Sequence, residues 1–372
     1  MSLIVHFSTS HFQNDNRIYY KEILSALSGG HDVVFIVQPA SYIEHAKCHV
    51  ITLESSPRLF RRYIYNQLVG FFKILKMRPD IVHFHDPELL IVGLLISYLT
   101  GISVIYDVHE DNYTALVNRE TYKGRFLIKF AAKIIRNLEL IAHKRFHLII
   151  AEKYYIRIFP RAVKVLNYPF PNFPGRKVKK IDSSYAELIY TGNITIERGL
   201  EIYCDLVKAN SNVRVHLVGK ISKEEAKRIS SELGEDANRM VIPYTNQFVD
   251  PQLIQQYYAN YSWTAGLAVF PHNPHYHEKE LTKIFEYMSN SIPVICSNFP
   301  VWENIVITHE AGVSINPNDI SGLSDIINSL YEKPSSISLL GDNGLNAVRK
   351  YYTWEEQGNN LLNLYDRLLG KR

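Results

Sequence analysis

Residues 278–303 read EKELTKIFEYMSNSIPVICSNFPVWE, and this stretch decides how the whole chain is read. Glu278 and Glu286 stand eight positions apart with Lys283 between them, and Ile284, Phe285, Tyr287 and Met288 supply the apolar stripe of a half-buried helix. At ~100° per residue, eight steps return to within roughly 80° of the start, so both carboxylates are expected toward the N-terminal mouth of one helix. Val294, Ile295 and Cys296 then form a short buried strand, entered through Ile292-Pro293 and left through Ser297-Asn298. Acids and a lysine on a helix, followed by a buried strand that opens on a polar turn, suit an α/β domain holding a polyhydroxylated ligand. Taken alone, a Glu pair at a helix start is more often an ordinary solvated terminus, because acids favour the positive end of the helix dipole.

Length and composition frame that stretch. A chain of 372 residues with 46% hydrophobic content supports about two domains, each with its own core. Cys48, Cys204 and Cys296 lie in apolar settings and read as reduced, buried thiols, not a disulfide framework. Residues 3–7 (LIVHF) are too short for a signal sequence, and the longest apolar helix candidate, Leu89 to Leu99, has 11 residues. The expectation is a cytoplasmic protein, at most peripheral at the inner face of the membrane. Charge is uneven: residues 1–170 carry 21 Lys/Arg against 14 Asp/Glu, and residues 171–372 carry 20 against 23. Two basic stretches, 58–78 with six Lys/Arg and no acid and 123–145 with seven against Glu139 alone, interleave cations with Phe, Tyr, Leu and Ile. That pattern fits a helix lying on anionic lipid, and it also fits a surface helix with a solvated basic face. No basic recognition motif accompanies it, so nucleic acid is not expected as a partner.

In chain order, a strand at Leu3 to Phe7, a polar turn, a helix through Tyr19, Ile23, Leu24 and Leu27 closing at Gly29-Gly30, and a strand at Asp32 to Val37 make a parallel-sheet unit. The turn lacks G-x-G-x-x-G, which argues against a nicotinamide enzyme. A second unit runs through Asp80 to His85 (DIVHFH), with Asp86 expected as N-cap and Pro87 in the first helical turn. His83, His85 and Asp86 raise the question of a metal, but H-x-H is generic spacing and the expectation is a packed strand histidine with a capping acid. The third unit, SVIYDVHED at 103–111, delivers His109 and Glu110 to the carboxyl end of a buried strand, where open α/β sheets bind ligands. Glu110 and Asp111 read equally as acceptor-side or as solvated loop residues. Residues 168–184, with three Pro, one Gly and a basic run, read as a linker, and a second domain of the same architecture starts at Glu187. Its first loop, TGNITIERG at 191–199, pairs Gly192 with Arg198: glycine lets the backbone approach a phosphate and arginine offers a fork to its oxygens. Tyr244 is placed against a nucleotide base on position alone. No Asp-x-Asp occurs, so a divalent metal has no evident seat.

These segments together resemble the retaining glycosyltransferases of family four. Glu278, Glu286 and Pro293 to Ser297 match the family's donor-site signature of two Glu flanking seven residues. Asp15, Arg17, Ile18, Lys21 and Glu22 match its first turn, and Gly192, Arg198 and Gly199 its phosphate loop. Two departures stand out: the glycine pair of the first turn is missing, and Asn193 replaces the usual arginine, which makes Lys283 the second cation. The resemblance implies an α/β chain of the GT-B architecture: two Rossmann-like doubly wound domains facing across a cleft, with a C-terminal helix crossing back to the first. The expected division is 1–167 as the acceptor-side domain, 168–185 as linker, 186–353 as the nucleotide-sugar domain, and 354–372 as the returning helix. It further implies transfer of a sugar, with retention and without metal or other cofactor, from a nucleotide-diphosphate donor to a glycan or lipid-linked acceptor, in surface polysaccharide synthesis. His109 and Glu278 take the catalytic places, with His109 facing the donor sugar. Gly192, Arg198, Lys283, Glu286 and Tyr244 take the nucleotide-sugar places. Alternatives on the same architecture are a non-hydrolysing sugar-nucleotide epimerase and a non-catalytic scaffold subunit.

Overall fold

The computed structural model describes residues 1–38, 46–54, 64–113, 126–170 and 184–370. The start of each basic stretch (58–63 and 123–125) and most of the expected linker (171–183) lie outside the described residues. The chain forms two compact units, Met1–Asn167 with Trp354–Arg372, and Tyr168–Thr353.

The first unit is built on seven parallel strands: β1 (Leu3–Phe12), β2 (Asp32–Gln38), β3 (His49–Thr52), β4 (Ile81–Phe84), β5 (Ser103–Val108), β6 (His147–Ile150) and β7 (Val163–Lys164). Their order is β3-β2-β1-β4-β5-β6-β7. Strands covered on both faces must be apolar throughout, and β4 is buried at all four positions, its histidine included. Between β1 and β2 a π-helical turn, Ile18–Ile23, runs into the helix Leu24–Ser28 and stops at Gly29 and Gly30, the latter at φ 80° where a side chain would be strained. Sheet order reverses between β1 and β4, so the crevice outside the carboxyl ends of those strands is where a ligand is accommodated.

Asp86 does not cap the helix that follows β4. Its carboxylate instead accepts from Ser8 Oγ (2.8 Å), Thr9 N (2.7 Å) and Ser10 N (3.2 Å), because the end of β1 exposes amides with no strand partner. The helix Trp354–Leu368 closes the same unit: Trp354 Nε1 donates to Ser25 Oγ (3.0 Å), Leu166 N donates to Gln357 Oε1 (3.0 Å), and Tyr365 OH meets His83 Nδ1 (2.8 Å).

The second unit holds six parallel strands: β8 (Ala186–Asn193), β9 (Val213–Lys220), β10 (Met240–Val241), β11 (Ala265–Ala268), β12 (Val294–Ser297) and β13 (Gly312–Ile315), ordered β10-β9-β8-β11-β12-β13. The switch point here falls between β8 and β11. Trp263, Trp302 and Tyr287 fill the core with no exposure, which needs their polar tips satisfied: Trp263 Nε1 donates to Tyr257 O (3.1 Å), Tyr287 OH to Leu267 O (3.2 Å) and Trp302 Nε1 to Lys279 O (2.8 Å). Tyr168, expected in the linker, packs into this unit against Phe285 and Tyr352 and donates its hydroxyl to Glu280 (3.0 Å). No described helix is long and apolar enough to cross a membrane.

Candidate functional site

The switch point of the second unit gathers most of the donor-side residues. Helix Thr282–Ser289 begins with Leu281 as N-cap, which makes no side-chain cap but accepts from Ile284 N (3.0 Å) through its carbonyl. Lys283 Nζ lies 2.9 Å from Glu286 Oε2, and the same oxygen accepts from Tyr258 OH (3.1 Å), itself 2.6 Å from Thr191 Oγ1. Gly192 sits at φ 112°, and a Cβ there would stand 3.0 Å from Lys283 Cε, so glycine leaves the lysine its path along the end of β8. Gly199, at φ 90°, starts the helix Leu200–Ala209, and a Cβ there would run into the Val269 carbonyl. The helix therefore begins at Leu200, directly after the loop 191–199. Arg198 meets no described carboxylate at ion-pair distance. Burial opposes its charge, yet the hydroxyls of Tyr190 and Tyr276 hold its pKa above the ordinary value. Burial in turn pushes the Tyr190 phenol up to about 12, although Arg198 pulls it down. The result is a lysine beside a glycine strand end, with Glu286 as the anchored acceptor and a half-buried guanidinium held by two tyrosines in the following loop.

The other two donor-side residues are Glu278 and Tyr244. Glu278 is not on the helix with Glu286: it precedes the first turn and is exposed. Trp302 takes the Lys279 carbonyl, which keeps residues before Thr282 out of helical pairing. Tyr244 packs edge-on to Tyr257, its hydroxyl 3.4 Å from that of Tyr257.

The first unit carries a dense polar cluster at the carboxyl ends of β1, β4 and β5. Asp107, wholly buried in β5, accepts two bonds from Arg17 (Nε and Nη2, each 2.9 Å) and holds His109 Nε2 at 2.6 Å. Burial would push the Asp107 carboxyl up, but Arg17 and His109 hold it well below the usual carboxylate range. The neighbouring Glu22 is driven well upward by burial and by the Asp107 charge against the pull of Arg17, so of the two acids Asp107 carries the charge. With Asp107 ionised, the hydrogen-bond pattern places the His109 proton on Nε2 and leaves Nδ1 as acceptor in the neutral ring. The His109 side chain is 17% exposed. Burial lowers His85 to about 4 and holds His6 and His83 well below the ordinary imidazole value. His11 is held 3.1 Å from Asp86, and its ring lies tilted by 41° to that of His109 with centres 5.0 Å apart.

Among the residues expected from sequence, Gly192, Lys283 and Glu286 come together, Arg198 lies against Tyr190 and Tyr276, Glu278 precedes the helix of Glu286, Tyr244 packs on Tyr257, and His109 joins the first-unit cluster. Sequence reasoning missed Asp107 and Tyr258. An aspartate inside the apolar run SVIYDV was a readable signal, since a buried strand carries a charge only when something pays for its desolvation. Tyr258 gave none, because its partner lies 28 residues away.

Two doubly wound parallel sheets in this order are the GT-B glycosyltransferase fold. Residues 174–346 match the sequence model of the family "Glycosyl transferases group 1". No curated protein matches the chain in sequence. Among solved structures, the chain is similar to a sucrose-phosphate synthase from Thermosynechococcus elongatus (TM-score 0.77, 17% identity, 100% of each chain covered). It is likewise similar to Alr3699/HepE of Anabaena in complex with UDP-glucose (TM-score 0.74, 13% identity, 99% of this chain and 100% of that one). WaaG, a glycosyltransferase involved in lipopolysaccharide biosynthesis, aligns over 97% of this chain and 99% of its own (TM-score 0.68, 11% identity). At these identities the likeness carries the fold, and family and fold together support a transferase.

Proposed function

We propose that the protein transfers a sugar, with retention of anomeric configuration, from a nucleotide-diphosphate donor to a glycan or lipid-linked acceptor in surface polysaccharide synthesis. The observation that carries this reading is the approach of Lys283 to the Gly192 strand end, with Glu286 fixed by Lys283 and Tyr258, and with Arg198 held by the hydroxyls of Tyr190 and Tyr276 in the loop that follows the strand. A diphosphate leaving group needs fixed positive charge, and Lys283 with a guanidinium that meets no described carboxylate supplies it without a divalent ion. Glu286 accepts from the ribose hydroxyls, Glu278 from the donor sugar, and Tyr244 lies against the base. The role of His109 rests on the family resemblance and on its own chemistry: Nδ1, left free by Asp107, meets a sugar hydroxyl as charge grows at the anomeric carbon. In a front-face route the bond from that carbon to the diphosphate breaks as the bond to the acceptor oxygen forms on the same face. The acceptor proton passes to the departing phosphate oxygen.

A membrane-bound acceptor is supported by the surface of the first unit. Helices Asn66–Met77, Leu90–Leu99 and Phe126–Arg145 lie side by side and leave Phe72, Ile91, Tyr98, Leu99 and Phe130 more than half exposed. Lys73, Lys76, Lys129, Lys133 and Lys144 are exposed among them. Apolar side chains interleaved with cations suit peripheral docking on the cytoplasmic face of an anionic bilayer.

The test is a screen of UDP-, GDP- and ADP-sugars with and without glycan and polyprenyl-phosphate acceptors. The expected result is one donor consumed only when acceptor is present, with the donor's anomeric configuration in the product by NMR. Conversion of a donor to a different sugar nucleotide without acceptor overturns the reading in favour of an epimerase, and failure to bind any nucleotide in favour of a scaffold.

A further inference from the structure

Beneath the Asp107–His109 pair lies a second group that the transfer reading leaves unused: His6 from β1, His83 and His85 at the end of β4, and Glu22 from the π-helical turn. All four are at most 2% exposed, and each can offer one donor atom within 4.8 Å of the others. The H-x-H pair was generic as sequence; the fold adds a third imidazole and a carboxylate to it.

His6 and His83 each turn one nitrogen to Tyr365 and keep one inward, while His85 faces the group on both sides, its Nδ1 standing 3.8 Å from Glu22 Oε2. His83 Nδ1 meets Tyr365 OH at 2.8 Å, which leaves Nε2 pointing inward with no hydrogen-bond partner. His6 Nε2 lies 3.3 Å from the same hydroxyl, and its Nδ1 faces His85 Nε2 at 3.1 Å. His85 Nδ1 is turned toward Asp107 Oδ2 at 3.4 Å. Neither oxygen of Glu22 accepts a hydrogen bond, although both are buried. Arg17 Nε is 3.0 Å from Glu22 Oε1, but its hydrogen goes to Asp107. Glu22 Oε2 stands 3.9 Å from the unpartnered His83 Nε2, too far for a hydrogen bond.

Orphaned buried acceptors of this kind require an explanation. Imidazoles oriented by outer partners, with Tyr365 and Asp107 in that place, are the arrangement that holds a metal ion. Zinc at its usual bond lengths sets tetrahedral donors about 3.4 Å apart; His6 Nδ1 and His85 Nε2 stand 3.1 Å apart, His83 Nε2 and Glu22 Oε2 3.9 Å, and all four donors lie within 4.8 Å, so a bound ion draws the group together slightly. We propose that the first unit binds a divalent ion of the zinc class through His6, His83, His85 and Glu22, as a structural tie among β1, β4 and the π-helical turn. Tyr365 extends that tie to the C-terminal helix. Binding displaces the proton shared by His6 and His85 and any proton on Glu22. The proposal is independent of the transfer reading and places no ion at the donor diphosphate.

Full-length protein purified without chelator is tested by elemental analysis and by the visible spectrum after replacement with cobalt(II). The expected result is about one equivalent of zinc per chain and the intense d–d bands of four-coordinate cobalt, as a closed His/carboxylate site gives. His83→Ala and Glu22→Gln lose both, while His147→Ala, outside the group, keeps them. Should the variants fail to fold, wild-type protein stripped by chelator in mild denaturant decides: adding zinc(II) raises Tm by several degrees. No bound metal with no zinc-dependent Tm shift overturns the proposal, and so does metal retained in folded His83→Ala.

Discussion

Oδ2 of Asp107 lies 2.6 Å from Nε2 of His109 while the same carboxylate takes a two-pronged contact from Arg17. Removing that carboxylate leaves a fully buried guanidinium without its main partner, which costs about 3–5 kcal/mol. Asp107→Ala is therefore expected to lower the urea midpoint sharply, and an unchanged midpoint means Arg17 is satisfied elsewhere.

Glu286 is expected to hold the nucleotide through a charged hydrogen bond in a mostly buried setting, its side chain 13% exposed. Losing such a bond costs about 1.5–3 kcal/mol, or roughly 10- to 150-fold in affinity. Calorimetric titration of Glu286→Ala with the preferred nucleotide checks this; wild-type affinity removes Glu286 from the site. Added magnesium or manganese is expected to leave the transfer rate unchanged, because in the proposed reaction Arg198 and Lys283 neutralise the diphosphate.

His11 provides a pH-dependent contribution to stability. Burial works against its charge, but the hydrogen bond and charge of Asp86 outweigh this and raise its pKa from 6.5 to about 9. A folded-state value above the unfolded one means that the stabilisation is complete below pH 6.5 and disappears as pH rises through 9. Denaturation curves from pH 6 to 10 are expected to show a loss on the order of 1–3 kcal/mol in that window. His11→Gln flattens that part of the profile; an identical slope in the variant assigns it to another group.

Sedimentation with anionic vesicles is expected at low salt and to fall as salt rises, since the Debye length shrinks from ~30 Å at 0.01 M to ~8 Å at 0.15 M. Phe72→Ser with Tyr98→Ser is expected to weaken it several-fold, because each removes an exposed aromatic from the basic face. No sedimentation at low salt leaves these helices as an ordinary solvated surface.

Strand and helix identity was readable where burial imposes a period, as in DIVHFH and SVIYDV, whose apolar runs become β4 and β5. Gly192, Arg198, Lys283 and Glu286 were readable because small, cationic and acidic residues sit at the ends of those periods. What failed was decided by partners distant in the chain. Asp86 reads as a helix cap until Thr9 and Ser10, 77 and 76 residues earlier, claim its carboxylate. Glu278 reads as helical until Trp302 takes the Lys279 carbonyl. The grouping of His6 with His83 depends on strand register, which pairs the two directly across β1 and β4.

The helix Trp354–Leu368 carries one more implication, for biogenesis. Synthesis runs from the N-terminus, so the ribosome has made some 350 residues before Tyr365 can reach His6 and His83. The second sheet can mature while the first still waits for its last element. A chain stalled or clipped shortly before Trp354 would therefore carry one finished half and one unsealed half, a natural target for chaperones and proteases.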